Sequence, residues 1–381
     1  MHITEIKVAG LRGATPTGGW SNEIQPDDVV HTLVVVDTDQ GIQGIGSVFS
    51  SEDLTRAALS VLSPLLQGEC ALEPQRVSEK LHQHTFWLGR GGSITHAISG
   101  IDLALWDILG KATGQPVGRL LGGRYRDRVT PYASILMDEL GPMVEYLSEL
   151  KAGGFRAFKI GWGRFGRDDD GTDERLVEAA RRAVGDKCRL MVDAGGSDAY
   201  WSQGYKWALR TARMLDAYGV SWLEEPLAPD ALTDFVALRR ASPVPIAGGE
   251  VLTRRQSFSP YLSAGAFDIV QPDVTKVGGL SEQRRIAWTA EECGVKLIPH
   301  GWNTAVGLAS DLQLASALPA TDLIEFKTGS PYIEELMARP WRLDEDGMLP
   351  IPSDPGLGLQ LDPDAVEKYT GRKGLLSPSP G

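Results

Sequence analysis

The feature that constrains this chain most is a series of six short apolar runs, each closing with an acidic residue or a histidine. The intervals between the closing residues are 31, 26, 23, 27 and 25 residues, and such intervals fit one strand, one helix and two loops. A charge at the end of a buried strand is costly unless it is paired or binds a metal. The series therefore predicts one polar site at the mouth of a parallel barrel, formed by Asp193, Glu224, Glu250, Asp273, His300 and Glu325.

Two further β-type runs, residues 129–137 and 155–161, precede the six, and helical segments separate all of them. Eight such units over ~200–250 residues are typical of a (β/α)8 barrel, whose active site lies at the C-terminal ends of its strands. Residues 1–50 carry strand signals and a helical stretch follows them, an order that indicates a separate α+β domain. We therefore predict an α/β fold, a (β/α)8-type barrel with an N-terminal α+β capping domain.

The pattern changes from one domain to the next after the LLGG of residues 120–123. We predict a capping domain over residues 1–123, with loops for substrate specificity, and a catalytic barrel over residues 124–345. After Trp341 the sequence is rich in proline and glycine. The last segment, 346–381, is expected to pack back on the capping domain and to be disordered at its tip.

Composition and charge exclude some classes of partner. With 38 Lys and Arg against 50 Asp and Glu, the net charge is −12, which disfavours nucleic acid or an anionic membrane. No apolar run approaches membrane-spanning length, and the N-terminus lacks the apolar core of a signal peptide. The three cysteines, Cys70, Cys188 and Cys293, form no zinc or disulfide pattern. We expect a cytoplasmic protein.

Three of the six closing residues, Asp193, Glu224 and Glu250, come from consecutive runs. Three carboxylates with water form a hard oxygen site that suits Mg²⁺ and suits zinc poorly. Taken singly, each carboxylate would be interpreted as a surface residue, because most Asp and Glu are exposed. Side chains alternate along a strand, so only one of Glu224 and Glu225 can face the site. The run itself leaves that choice open.

Asp273 and His300 close neighbouring runs. A carboxylate bonded to one imidazole nitrogen fixes the tautomer and leaves the other nitrogen to take a proton. Lys159 lies in the apolar run AFKIG, where burial of its charge is expensive. A stem that carries the ammonium to solvent is the alternative, and we favour an electrostatic partner of the carboxylates. Glu325 either donates a hydrogen bond to an enediolate or pairs with Lys327.

At these residues the chain resembles the mandelate racemase branch of the enolase superfamily. The segments that carry the resemblance span essentially the whole chain: ISGIDLALWDILGKATGQPVGRLLGG, GFRAFKIGWG, MVDAG, WLEEPL, IAGGE, QPDVTKVGG, PHGWN and LIEF. The resemblance implies Mg²⁺ bound by Asp193, Glu224 and Glu250, which selects Glu224 over Glu225. It implies Asp273 and His300 as the acid/base dyad, Lys159 polarising the substrate carboxylate, Glu325 hydrogen-bonded to that carboxylate, and a homo-oligomer.

One departure from the family pattern bears on the reaction. The second barrel strand of the family usually carries Lys-x-Lys, whereas this chain has Lys159-Ile160-Gly161. Glycine cannot move a proton, so racemisation by two bases is disfavoured. Proton abstraction by His300 with loss of a β-hydroxyl remains available. We therefore predict a Mg²⁺-dependent dehydratase that converts an acid sugar to a 2-keto-3-deoxy acid.

Two alternatives stay open at this stage. An epimerase, racemase or cycloisomerase could use Lys159 and His300 on opposite faces of the same enediolate. A protein without catalytic activity could bind a sugar acid or Mg²⁺.

Loops of the capping domain are the expected source of specificity. The segments 15–23 and 47–53 contain glycine beside the large side chains of Trp20 and Phe49, as a closing lid requires. The alternative for both segments is an ordinary surface loop. Trp162 and Arg164 follow the second barrel strand, and we predict that they contact the distal end of the substrate.

Overall fold

The computed structural model describes residues 1–16, 24–137, 139–198 and 200–377. The N-terminal part has three strands followed by helices, and the strands pair antiparallel in the order β1-β2-β3. Its elements are β1 Ile3–Leu11, β2 His31–Thr38, β3 Gly44–Val48, α1 Glu52–Leu66, α2 Pro74–His84, a 3-10 turn Phe86–Leu88, α3 Gly92–Thr113 and α4 Val117–Leu120. This order of strands and then helices is the predicted α+β capping domain.

The sheet and helix α3 approach each other at glycines. A Cβ on Gly46 of β3 would lie 1.9 Å from the carbonyl oxygen of Gly100 in α3, a distance that no side chain tolerates. Helix α3 therefore packs directly on the backbone of β3, and its fully buried residues Ile98 and Leu105 join the core formed with Val34 and Val36.

Eight parallel strands and their helices form the barrel. The strands are β4 Arg128–Leu136, β5 Ala157–Gly161, β6 Arg189–Asp193, β7 Leu223–Glu224, β8 Ile246–Gly248, β9 Ile269–Val270, β10 Lys296–Leu297 and β11 Leu323–Lys327. The helices are α5 Leu140–Ala152, α6 Asp170–Val184, α7 Tyr205–Ala217, α8 Leu232–Ala241, α9 Arg254–Ala264, α10 Gly279–Glu292, α11 Ala305–Ala317 and the one-turn α12 Pro331–Glu334.

The parallel sheet curves until its two end strands, β10 and β11, lie next to each other. The ladder runs from β10 through β4 to β11. Thr321, just before β11, donates its hydroxyl to the carbonyl oxygen of Leu297 in β10 at 2.8 Å. The predicted (β/α)8-type barrel with an N-terminal cap is confirmed.

A layer of side chains fills the barrel interior below the site. It takes one residue from each strand or its immediate flank: Tyr132, Ala157, Met191, Trp222, Ala247, Ile269, Ile298 and Leu323. Such layers make the interior of this fold a packed core. Polar side chains can therefore gather only above the layer, at the C-terminal ends of the strands.

Several strands are shorter than the predicted runs. Asp193 and Glu224 are the last residues of β6 and β7, but Glu250, Asp273 and His300 lie two or three residues beyond their strands. Pro272 and Pro299 precede the last two, and proline has no N–H for a ladder. Asp273 and His300 still pair with each other through an isolated bridge.

The C-terminal segment contacts both parts of the molecule. Strand β12, Leu349–Pro350, pairs antiparallel with β4 of the barrel. Helix α13, Pro363–Thr370, lies against β1, and Tyr369 accepts a 2.9 Å backbone hydrogen bond from Arg12. Contact with the capping domain begins before α13, because Leu357 donates its backbone N–H to Asp107 of α3 at 2.9 Å. The predicted disordered tip includes residues 378–381, which lie outside the described residues.

Helix α3 of the capping domain also contacts the barrel loop that leads into α10. Ser99 accepts from the backbone N–H of Gly278 at 2.8 Å, and Asp102 accepts from that of Ser281 at 3.0 Å. Trp106 donates its indole N–H to the Ser281 hydroxyl at 3.0 Å. The two domains are therefore joined directly behind the loop that carries Asp273.

Among the described residues, no helix is both long enough and apolar enough to cross a membrane. The three cysteines are free thiols.

Candidate active site

The candidate site is a cavity of about 290 Å³ at the C-terminal ends of the barrel strands. Phe49 of the capping domain forms part of its wall. The predicted barrel residues that line it are Lys159, Gly161, Trp162, Asp193, Glu250 and His300. The strand-end residues of distant sequence position therefore meet in one chamber, as the sequence predicts.

Asp193, Glu224 and Glu250 are all buried, and each places one carboxylate oxygen within 4.8 Å of those of the other two. Octahedral Mg²⁺ requires oxygen ligands at about 2.1 Å from the ion, and it keeps several waters. Glu224 is oriented by two donors on Oε2, the indole N–H of Trp222 at 2.9 Å and Gln271 at 2.8 Å. The donor set fits a hard divalent cation.

Burial raises the pKa of both Asp193 and Glu224, because each carboxylate is desolvated beside other carboxylates. The pKa of Glu224 rises to about 7. Burial and the neighbouring Glu250 also raise the pKa of Glu225 well above its ordinary value. The cluster has more buried negative charge than one lysine can neutralise, and a bound cation would relieve it.

Among the described residues, Lys159 is the one lysine that lies within the carboxylate cluster. Its ammonium lies 2.5 Å from Glu224 Oε1, 3.0 Å from Glu325 Oε1 and 3.3 Å from Asp193 Oδ2. Burial alone would lower the pKa of Lys159, but the three carboxylates raise it well above its ordinary value. The buried stem does not carry the charge to solvent, and Lys159 is the electrostatic partner that the sequence predicts.

Glu325 pairs with Lys159, and the alternative pairing with Lys327 does not occur. Its second oxygen accepts a 2.7 Å hydrogen bond from the backbone N–H of Gly301. Burial would raise the pKa of Glu325, yet Lys159 lowers it to about 2, so Glu325 is ionised here. Lys327 instead lies over the ring of Trp302, 4.4 Å from its centroid.

The dyad has the predicted geometry. His300 Nδ1 lies 2.7 Å from Asp273 Oδ2, and Nε2 faces Glu250 Oε2 at 3.3 Å. Thr275 donates its backbone N–H and its hydroxyl to Asp273 Oδ1 at 2.7 and 2.6 Å. Burial would lower the pKa of His300, but Glu250 and Asp273 raise it to about 9. Three donors hold Asp273 in place, and His300 Nε2 points to the carboxylate cluster.

Trp162 shapes the wall opposite the dyad. Its backbone adopts a positive φ of 58°, uncommon for a bulky residue and characteristic of functional sites. The indole N–H lies 3.2 Å from Asp193 Oδ2. The ring also occupies the space beside Gly195, where a Cβ would lie 2.5 Å from it. The glycine of the DAGG segment therefore makes room for Trp162.

Of the four residues predicted to contact the substrate, two line the cavity. Phe49 and Trp162 line the cavity, whereas the half-exposed Arg164 bonds to Asp168 at 2.7 Å and is absent from the described lining. A loop of charged residues, 167–170, offers Arg164 a partner outside the cavity. Trp20 lies outside the described residues.

Sequence reasoning missed two large side chains of the lining, Lys276 and Trp302. Each follows a dyad residue closely, Lys276 three positions after Asp273 and Trp302 two after His300. The signal available in the sequence is that each of the two residues lies within three positions of a predicted strand-end residue.

Comparison with known families covers both domains. Residues 25–122 match the mandelate racemase / muconate lactonizing enzyme N-terminal domain, and residues 142–365 match the enolase C-terminal domain-like family. The chain belongs to the mandelate racemase and muconate lactonizing enzyme subgroup of the enolase superfamily. The family resemblance of the sequence segments is thereby confirmed.

Relatives within the family differ in the reaction they are named for. A D-galactarolactone cycloisomerase from Agrobacterium fabrum is 33% identical, with 97% of this chain and 99% of the relative covered. A D-xylonate dehydratase from Haloferax volcanii is 32% identical, with 88% and 84% covered. The crystal structure of a racemase from Streptomyces coelicolor with bound magnesium has a TM-score of 0.84 and 28% identity, with 96% and 99% covered.

Proposed function

We propose that the protein is a Mg²⁺-dependent acid-sugar dehydratase that forms a 2-keto-3-deoxy acid. The observation that supports this proposal is the asymmetric placement of basic side chains in the site. Asp273 holds His300 through Nδ1 at 2.7 Å, and Nε2 faces the cavity beside Glu250. The cavity position where the family has a second base is Gly161. One face of the substrate carbon has a base, and the other has none.

Mg²⁺ held by Asp193, Glu224 and Glu250 would act as a Lewis acid toward the substrate carboxylate and stabilise negative charge on it. Lys159 adds a fixed positive charge at the same end of the cavity. Preorganised charges of this kind usually supply the largest part of the rate enhancement. Glu325 holds Lys159 in place and is itself held by the backbone of Gly301.

His300 performs both proton transfers of the proposed reaction. Nε2 removes the proton from the carbon next to the carboxylate, and the electron pair of that C–H bond enters the enediolate. The C–O bond at the next carbon then breaks. The imidazolium returns the proton to the departing hydroxide, which leaves as water, and the enol product becomes the 2-keto-3-deoxy acid. Asp273 stabilises the imidazolium between the two transfers.

Lys159 is poorly suited to be a second base. Its ammonium contacts three carboxylates. Their attraction outweighs the effect of burial and raises the pKa of Lys159 well above its ordinary value. A base must lose its proton near the working pH. Glu250 is the main cause of the raised pKa of His300, and Mg²⁺ bound by Glu250 would offset that attraction, whereas Lys159 would keep Glu325 as a partner. This argues against racemisation or epimerisation by Lys159 and His300 on opposite faces.

A cycloisomerase is the second candidate. If the leaving oxygen belongs to a ring, the same abstraction opens the ring and the oxygen stays attached, so nothing is lost. The relative from Agrobacterium fabrum, a D-galactarolactone cycloisomerase, covers 97% of this chain. The cavity walls also include Phe49, Trp162 and Trp302, and aromatic faces suit a compact ring.

The experiment is to incubate the protein and Mg²⁺ with a panel of aldonates, aldarates, and their lactones and anhydro forms. Dehydration forms a keto group with loss of one water in the mass spectrum. Cycloisomerisation forms a keto group at unchanged mass, and epimerisation forms none. A panel with no turnover, and no exchange of the α-hydrogen in heavy water, would support a binding protein and overturn the proposal. The homo-oligomer and the cytoplasmic location stay predictions.

A further inference from the structure

Lys276 is a second lysine that faces the cavity, and the proposed reaction has no role for it. It lies in the loop between β9 and α10, three residues after Asp273. The side chain is largely buried. Its ammonium lies 4.2 Å from the centroid of the Phe49 ring, so it meets the capping domain at the cavity wall.

The ammonium of Lys276 has no hydrogen-bond acceptor among the described residues. The nearest carboxylate oxygen, Asp273 Oδ2, is 3.9 Å away, beyond hydrogen-bonding distance. That carboxylate is already engaged by His300 and by two donors from Thr275. A buried ammonium without an acceptor is costly.

Apart from Asp273, the groups around Lys276 supply no counter-charge. His31 packs edge-on against Phe49 with ring centroids 4.9 Å apart, and His96 Nδ1 bonds to the Phe49 carbonyl oxygen at 2.9 Å. Burial lowers the pKa of each histidine to about 4, so both are neutral at neutral pH. Phe49 offers the face of its ring, and a cation gains less there than from an anion.

The other cations near the cavity are already paired. Lys159 contacts three carboxylates. Arg167 is bonded to Asp198 at 2.9 Å, and Arg164 is bonded to Asp168. Among the described lining residues, Lys276 is therefore the cation available for a further negative group of a ligand.

We infer that Lys276 binds the second carboxylate of a dicarboxylic acid sugar, an aldarate or a lactone acid derived from one. This inference rests on the proposed function, because the first carboxylate occupies the end of the cavity with Lys159 and the acidic triad. Lys159, Lys276 and His300 all line the same chamber. An oxyanion would give Lys276 the charge-assisted hydrogen bond that the protein does not provide. Lys276 is thus a specificity-determining residue.

The test compares aldarates with aldonates of matching configuration. The wild-type protein should prefer the diacid in kcat/KM by about tenfold or more. Lys276→Met keeps the length of the side chain and removes the charge. It should raise KM for the diacid about tenfold or more, with kcat and the kinetics of the monoacid little changed. Lys276→Arg should restore much of the loss, and the exposed Lys187→Met, near the opposite end of the barrel, is the matched control.

Two outcomes would overturn this inference about Lys276 without overturning the proposed dehydratase function. One is wild-type turnover of monoacids in preference to diacids. The other is an equal loss for both classes in Lys276→Met with a shifted pH profile, which would mean that Lys276 acts through Asp273.

Calorimetry with Mg²⁺ in a His300→Asn background keeps the inference testable without turnover. Lys276→Met should weaken aldarate binding there about tenfold or more, and equal affinity would overturn the inference. Absence of turnover in the whole panel would instead overturn the proposed function.

Discussion

A Cβ on Gly161 would lie 2.5 Å from the Cβ of Asp193 and 2.6 Å from its carbonyl oxygen. The two residues are partners in the parallel ladder between β5 and β6. Real Cβ atoms do not make such contacts, and one of the two neighbours is backbone. Gly161 therefore has a steric role in addition to lacking a basic side chain. Because it has no Cβ, Asp193 can occupy its position in the acidic triad.

Restoring the family's Lys-x-Lys pattern should not restore a second base. Gly161→Lys must shift Asp193, so we expect weaker Mg²⁺ binding by about tenfold or more and no epimerised product. Gly161→Ala is the control for the steric part and should also weaken Mg²⁺ binding. Calorimetry gives the affinity, and proton NMR of the sugar detects epimerisation. Efficient racemisation by Gly161→Lys would contradict this interpretation of Gly161.

Mg²⁺ should stabilise the fold markedly, because the apo site buries Asp193, Glu224 and Glu250 against one lysine. Binding to the native state alone adds about 2.7 kcal/mol to the free energy of unfolding at 100 times Kd. Thermal unfolding with increasing Mg²⁺ measures this. Glu224→Gln removes one negative charge and one ligand, so the rise in Tm with Mg²⁺ should largely disappear. An unchanged response would mean that the cation binds elsewhere.

The barrel and the site residues at its mouth were accessible from the sequence because both depend on regular spacing. Asp193 and Glu224 end their strands as predicted, and the fold itself brings strand ends together. The prediction placed Glu250, Asp273 and His300 at strand ends as well. Proline and glycine shorten those strands, but two or three extra residues leave the side chains at the same end of the barrel.

The loops could not be predicted in the same way, because their side chains choose among nearby partners. Arg164 has the charge for a substrate carboxylate, but Asp168, four residues on, pairs with it outside the cavity. Lys276 lines the cavity because of the turn that follows Asp273. No periodicity in the sequence specifies the shape of that turn. The tight contact of Gly161 with Asp193 depends on how far two strands approach, a distance the sequence does not contain.

His300→Asn should abolish exchange of the α-hydrogen with heavy water, together with turnover. Asparagine keeps a polar contact near Asp273 but cannot accept the proton, and a general base typically contributes about 10²–10⁴-fold. Exchange is followed by proton NMR in the presence of Mg²⁺. Asp273→Asn should slow exchange without abolishing it, because the base is present but badly oriented. Retained exchange in His300→Asn would identify Lys159 as the base.

The contact between the domains contains a buried carboxyl group whose ionisation opposes folding. Asp102 of α3 is almost fully buried and accepts a hydrogen bond from Ser281 at the start of α10. Burial raises its pKa from 3.8 to about 7. Between about pH 4 and about pH 7 the folded protein therefore holds a proton that the unfolded chain has lost.

Because the folded state binds this proton more tightly, the contribution of Asp102 to stability falls as pH rises from about 4 to about 7 and is constant outside that window. Asp102→Asn mimics the protonated carboxyl and removes the dependence. The Tm of the variant relative to wild type should therefore increase across this window, as thermal unfolding at a series of pH values would show. The exposed Asp186→Asn should show a constant difference. A Tm difference for Asp102→Asn that stays constant or falls with pH would mean that Asp102 is ionised in the folded protein and stabilised by the N-terminus of α10.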